Sequence, residues 1–138
     1  MTGLDHVHAM WEADTASAHL GIECLEVGAD PLGHARARMA VVATMVNGHG
    51  MCHGGYVFTL ADSTFALACN ATGRLTVAAG ADISFVTPVR EGDVLLAVAR
   101  EHTAYGRNGI TDVTVTRESD GAVVAQFRGR SRAAGAAG

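Results

Sequence analysis

The residues in this 138-residue chain best suited to chemistry lie between positions 47 and 62. The stretch NGHGMCHGG, residues 47–55, runs straight into YVFTLADSTFALACNA, residues 56–71, whose single charged residue is Asp62. A carboxylate inside an apolar run is costly unless something satisfies it. Burial pushes its proton affinity up, and donors or cations pull it down. An acid so placed is suited to general-base or nucleophilic work. The structural alternative is an acceptor for Thr59 or Ser63, or a group that fixes an interface.

Gly54 and Gly55 stand just before that run. Backbone N–H groups in the first turn of a helix have no intrahelical partner, and the helix dipole adds positive potential there. A carbonyl turning into a tetrahedral oxyanion is stabilised at such a place, and glycine lets it come close. The plain alternative is a helix start that needs unusual backbone angles. Gly54 and Asp62 are eight residues apart. On one helix that is a rise of roughly 12 Å, so one carbonyl carbon cannot touch both. Two antiparallel helices from two subunits can bring Asp62 of one chain to Gly54 of the other, which makes a dimer a catalytic requirement.

Three neighbours in the loop have other potential uses. His49, Cys52 and His53 resemble a metal cluster, but adjacent Cys52 and His53 chelate one tetrahedral ion awkwardly, so no metal is expected. A Cys52–His53 nucleophile pair lacks a third group to orient the base. His53 is expected to hold the loop by hydrogen bonds, and Asn47 either to do the same or to touch substrate.

The elements that must position these groups follow from pattern. Residues 56–71 lack Pro and Gly, are too long for an ordinary strand and too short to span a membrane; they read as a buried helix ending near Asn70 and Gly73. Residues 5–19 read as an earlier helix stopped by Gly21. Residues 22–30 and 34–46 read as a hairpin: Ala35, Ala37 and Met39 alternate with His34, Arg36 and Arg38, and the turn DPLG uses Pro31 to fix φ and Gly33 to tolerate unusual angles. Strands follow at 76–88, 93–104, 110–117 and 122–132, taken as a four-stranded meander with turns at 105–109 and at Asp120–Gly121. Residues 133–138 have nothing to bury. The expected class is α+β, one domain over 1–138, with an antiparallel sheet curled round a long central helix. A second subunit is expected to cover what the sheet leaves bare.

Composition narrows the function. Acids outnumber Lys and Arg by 14 to 10, and aromatic residues make up 5% of the chain, so a nucleic-acid platform is disfavoured. The three cysteines, Cys24, Cys52 and Cys69, are not spaced as a disulfide framework. The first residues lack a signal-peptide apolar core, and no apolar run reaches membrane-spanning length. A cytoplasmic location is expected.

NGHGMCHGGYVFTLADSTFALACN (47–70), with DISFVTP (82–88) and FRGRS (127–131), resembles the hotdog-fold acyl-CoA thioesterases of the phenylacetic acid degradation type. The resemblance implies hydrolysis of phenylacetyl-type thioesters, often ring-hydroxylated, by a homotetramer built as a dimer of dimers. It implies that Asp62 is nucleophile or general base, that the Gly54 N–H meets the thioester carbonyl, and that Asn47 orients substrate or water. Coenzyme A carries phosphates, and Arg107, Arg128, Arg130 and Arg132 are the candidate contacts, the last three on one strand face. Ser84 is assigned a lining role. No metal or redox cofactor is expected. The rivals are a hotdog hydratase, disfavoured because no His lies in 54–101 to share acid and base work, and a non-catalytic acyl-CoA-binding regulator.

Overall fold

The computed structural model describes residues 3–134. Helices α1 (Leu4–Glu12) and α2 (Thr15–His19) are followed by strands β1 (Glu23–Gly28) and β2 (His34–Ala40), helix α3 (Gly54–Asn70), and strands β3 (Thr76–Phe85), β4 (Val94–Tyr105), β5 (Asn108–Arg117) and β6 (Val123–Ala133). All six strands form one antiparallel sheet in the order β1-β2-β4-β5-β6-β3. The sheet curls round α3, giving the expected α+β hotdog architecture. Among the described residues no helix is long and apolar enough to cross a membrane.

Alternation decides which face turns inward. Ala35, Ala37 and Met39 on β2, Leu95, Ala97 and Ala99 on β4, and Val113 and Val115 on β5 are buried against Leu60, Phe65 and Leu67 of α3. Phe127 of β6 packs edge-on against Phe58, with ring centroids 5.4 Å apart. The far end of α3 is pinned by Asn70. Its side chain donates to the Ala66 and Thr76 carbonyls and accepts from the Thr76 N–H and the His6 ring.

Several expectations need correction. The last four strands are not one meander. Only β4–β5–β6 run as neighbours; β3 lies at the edge beyond β6, and β4 pairs with β2. The first helix is two helices, because Asp14 accepts from the Ser17 N–H and starts a new one. Strand β2 stops at Ala40, and a short 3₁₀ turn at Ala43–Met45 carries the chain off the sheet toward α3. Gly33 has no positive φ; a Cβ there would collide with the Ala68 carbonyl, so the glycine serves close approach of the hairpin to α3. β6 continues through Ala133, and residues 135–138 of the glycine–alanine tail lie outside the described residues.

Candidate active site

The loop before α3 is closely stapled. The Asn47 N–H donates to the Met51 carbonyl at 2.7 Å, His53 N–H to Met45 at 2.7 Å and Cys52 N–H to Val89 at 2.7 Å. The Asn47 side-chain oxygen accepts from the His49 N–H at 2.8 Å and the Met51 N–H at 3.2 Å. Gly50 supplies the one left-handed residue that the turn requires, with φ 75°. Asn47 thus shapes the loop, and it also lines the groove described below.

His53 is the N-cap of α3, its Nδ1 accepting a long bond of 3.4 Å from the Gly55 N–H. The Gly54 N–H has no acceptor among the described residues and sits at the positive end of a 17-residue helix. Its φ is ordinary, so unusual backbone angles do not explain the glycine. The ring of Phe85 does: a Cβ on Gly54 would stand 2.9 Å from the Phe85 Cζ. Gly54, Asn47, Met51, Val57, Phe85 and Val124 line a mostly apolar groove of about 430 Å³. A larger cleft of about 540 Å³ lies under the β1–β2 hairpin, lined by Glu26, Leu32 and Arg36 among others. It contains none of the loop or α3 residues that could do chemistry.

Asp62 lies two turns further along the same helix. Gly55, Thr59, Asp62 and Ala66 fall at i, i+4, i+7 and i+11, a stripe less buried than the sheet-facing residues around it. The two nearby hydroxyls that could have satisfied Asp62 are committed elsewhere: Thr59 donates to the Gly55 carbonyl, and Ser63 pairs with Ser17. Among the described residues the Asp62 carboxylate has no hydrogen-bond partner. Burial pushes its proton affinity above the usual carboxylate range, and the negative charge of Asp14 adds to that. An unpaired acid of raised basicity can take a proton from water or attack an electrophilic carbon. Asp14 carries a signal in the sequence that the single-helix expectation leaves out: an Asp just before Thr-Ala-Ser is an N-cap signal.

The thiols do not offer a rival nucleophile. Burial raises Cys24 and Cys52, and Cys69 is pushed up to about 12, first by burial and then by Glu101. Cys52 Sγ points to the His53 carbonyl, not to its ring. Among the described residues no three His, Cys, Asp or Glu side chains converge as a metal site would require.

Three of the four candidate arginines share one face of β6, and Arg107 lies apart. Arg128 forms a two-pronged bond to Asp112, at 2.7 and 2.9 Å, and holds that carboxyl below its usual range. Arg130 reaches Asp82 at 2.8 Å. These pairs, Arg132 and Ser84 sit on the side of the sheet turned away from α3. Ser84 lies opposite Gln126 there, in a shallow depression with Asp82, Asp112 and Arg128. Arg107 is in the β4–β5 turn, beside the C-terminal end of α3. Strand β3 runs from that end to Phe85, about 30 Å at strand rise. Within one chain Arg107 and Gly54 do not meet.

Residues 49–124 match the family model described as Thioesterase superfamily. The chain belongs to the thioesterase superfamily. This superfamily member is 38% identical over 130 residues to the acyl-coenzyme A thioesterase PaaI of Escherichia coli K12, covering 94% of this chain and 90% of that protein. It superposes on the structure of the E. coli PaaI protein from the phenylacetic acid degradation operon with TM-score 0.87 at 36% identity, over 97% of this chain and 94% of the other. A Streptococcus mutans UA159 protein, smu.793, solved bound to acetyl CoA, superposes with TM-score 0.77 at 27% identity, over 85% of this chain and 91% of that one.

Proposed function

We propose that the chain hydrolyses acyl-CoA thioesters, with Asp62 and the Gly54 N–H as the working groups. The observation that carries this reading is the pair itself: a carboxylate without a hydrogen-bond partner and a helix-terminal N–H without an acceptor among the described residues, on one helix beside an apolar groove. The thioester carbonyl oxygen rests on the Gly54 N–H, which stabilises the oxyanion as charge develops. Asp62 either removes a proton from the attacking water or attacks the carbon itself, and water then cleaves the anhydride. In both routes the new C–O bond forms, the C–S bond breaks, and the proton ends on the coenzyme A thiolate or in solvent. His53 and Asn47 hold the loop that presents Gly54. The likeness to the E. coli acyl-CoA thioesterase supports the substrate class, and an acetyl-CoA-bound relative supports recognition of the coenzyme.

The active unit in this reading is a homodimer with shared sites, assembled further into a tetramer as a dimer of dimers. Two features support the shared-site dimer. Gly54 and Asp62, both on α3, are separated by roughly 12 Å of helix rise. Strand β3 is an open sheet edge, with Leu75, Val77, Phe85 and Val86 exposed on or beside it, and such an edge is a template for another strand. Antiparallel pairing of two β3 edges sets two α3 helices antiparallel, Asp62 of one toward Gly54 of the other. It also sets the Arg107 end of one chain near the groove of its partner. The assembly works on phenylacetyl-CoA-type esters, ring-hydroxylated ones included, in the cytoplasm.

The test is thiol release from a panel of acyl-CoA esters. Hydroxyphenylacetyl-CoA should exceed palmitoyl-CoA in kcat/KM. A clear palmitoyl preference refutes the acyl assignment, and binding of every ester without turnover refutes the enzyme.

A further inference from the structure

We propose that Asp14 is a positioning residue for Asp62, coupled to it through a buried hydrogen-bonded chain that docks the start of α2 on the turn of α3 carrying the acid. The chain has three links. Asp14 accepts from the Ser17 N–H at 2.9 Å and from the Ser17 hydroxyl at 2.6 Å. The Ser17 hydroxyl lies 2.7 Å from the Ser63 hydroxyl. Ser17 and Ser63 are 1% and 7% exposed, so water does not compete for these bonds. Ser17 has one hydroxyl proton and gives it to the Asp14 carboxylate, so Ser63 must donate to Ser17. The direction is therefore fixed, from Ser63 through Ser17 to a charged Asp14, and Ser63 is the residue next to Asp62.

The arrangement does two separable things. The chain locks the α3 turn against α2, which sets the direction in which Asp62 leaves the helix. The charge at its end acts on Asp62 and makes it a stronger base. Titratable groups on the elements packed against this part of α3 include Asp5, His6, His8 and Glu12 of α1, His19 of α2, Cys24 of β1 and Glu101 of β4, with Cys69 on α3 itself. Asp14 is the one whose charge acts on Asp62; Cys69 instead feels Glu101 and Asp62. Asp14 and Ser17 lie outside the residues matched by the family model, so this support comes from the N-terminal helices.

The inference rests on Asp62 as the working acid, and its test separates the two claims. Asp14→Asn keeps a side-chain oxygen to cap α2 and removes the charge. Carbon-13 NMR titration of the Asp62 carboxyl in the full chain reads the coupling without turnover, and kcat/KM against pH reads it in action. Both should show Asp62 ionising at lower pH in Asp14→Asn, with Asp14→Glu restoring the original behaviour. Ser63→Ala leaves the cap and charge intact and cuts the chain; kcat should fall several-fold with KM unchanged, and Ser63→Thr should recover most of it. An unmoved Asp62 titration in folded Asp14→Asn overturns the proposal. If Asp14→Asn does not fold, wild-type kcat in Ser63→Ala overturns it instead. A titration that moves in a protein that hydrolyses no acyl-CoA ester refutes the enzyme and supports the coupling.

Discussion

Replacing Asp62 by Asn tests the site and the electrostatics together, because the two respond in opposite directions. The substitution is nearly isosteric and breaks no hydrogen bond, since the carboxylate makes none among the described residues. Removing a general base costs at least about 100-fold in turnover, or about 2.7 kcal/mol of barrier. Stability should move the other way. Folding raises the Asp62 pKa through burial and the Asp14 charge. A group whose folded pKa is raised contributes its full stability below the unfolded value, about 3.9 for Asp. That contribution is lost as pH rises through the folded pKa. At neutral pH the ionised Asp62 is therefore a net cost to the fold, and Asp62→Asn should melt at or above the wild-type temperature. The difference should close below about pH 4, where both chains are neutral at this position. The assay pairs thiol release from an acyl-CoA ester with thermal unfolding across pH. Near wild-type turnover sinks the mechanism. Lost turnover with a lower neutral-pH melting temperature shows that Asp62 is satisfied in the working assembly, and the account of its raised basicity is then wrong.

Three further outcomes are expected. Asp62→Asn and Gly54→Val should each be nearly inactive alone, the second because its side chain must displace the Phe85 ring. Co-refolded heterodimers should regain up to about half the wild-type activity per dimer, since one of two sites then pairs an intact Asp62 with an intact Gly54; verified heterodimers at parental activity refute the shared site. Gly33→Ala should lose about 1–3 kcal/mol in urea unfolding, because its Cβ meets the Ala68 backbone and not a movable side chain. Asn47→Ala should lower kcat/KM with little loss of overall stability, because it releases the exposed loop that presents Gly54 and touches none of the core; an unchanged kcat/KM would show that the loop holds its shape without it.

Local chemistry was legible in the sequence and long-range placement was not. Asp62 stands out in the sequence as a lone charge in an apolar run, and NGHGMCHGG at 47–55 as the loop that leads into it. The inward alternation of Ala35, Ala37 and Met39 was visible because strand period leaves a pattern in neighbouring residues. Which strand neighbours which leaves none. The sequence 76–85 looks the same whether β4 or β6 lies beside it, so pattern alone favours consecutive neighbours and does not reveal β3 at the edge beyond β6. The role of Gly33 is hidden for the same reason: its constraint comes from Ala68, which is distant in the chain. The Asp14 break is masked in the sequence because helical periodicity runs on through the N-cap residue. The arginine alternation on β6 is plain in the sequence, but the partners Asp82 and Asp112 sit on other strands, where only register places them.

The position of β3 also has a consequence for synthesis. The strand leaves the ribosome directly after α3, yet its neighbour β6 follows only after β4 and β5 have been made. Until residue 133 has emerged, β3 has no strand of its own chain to pair with, and the side of α3 that β6 covers, where Phe65 meets Phe127, stays bare. Closure of the sheet is thus a late, non-local event, of the kind that slows folding and lengthens the exposure of apolar surface. Nascent chains stalled before β6 should be held by chaperones or aggregate, and native-like protease resistance should appear abruptly once that strand is free of the exit tunnel.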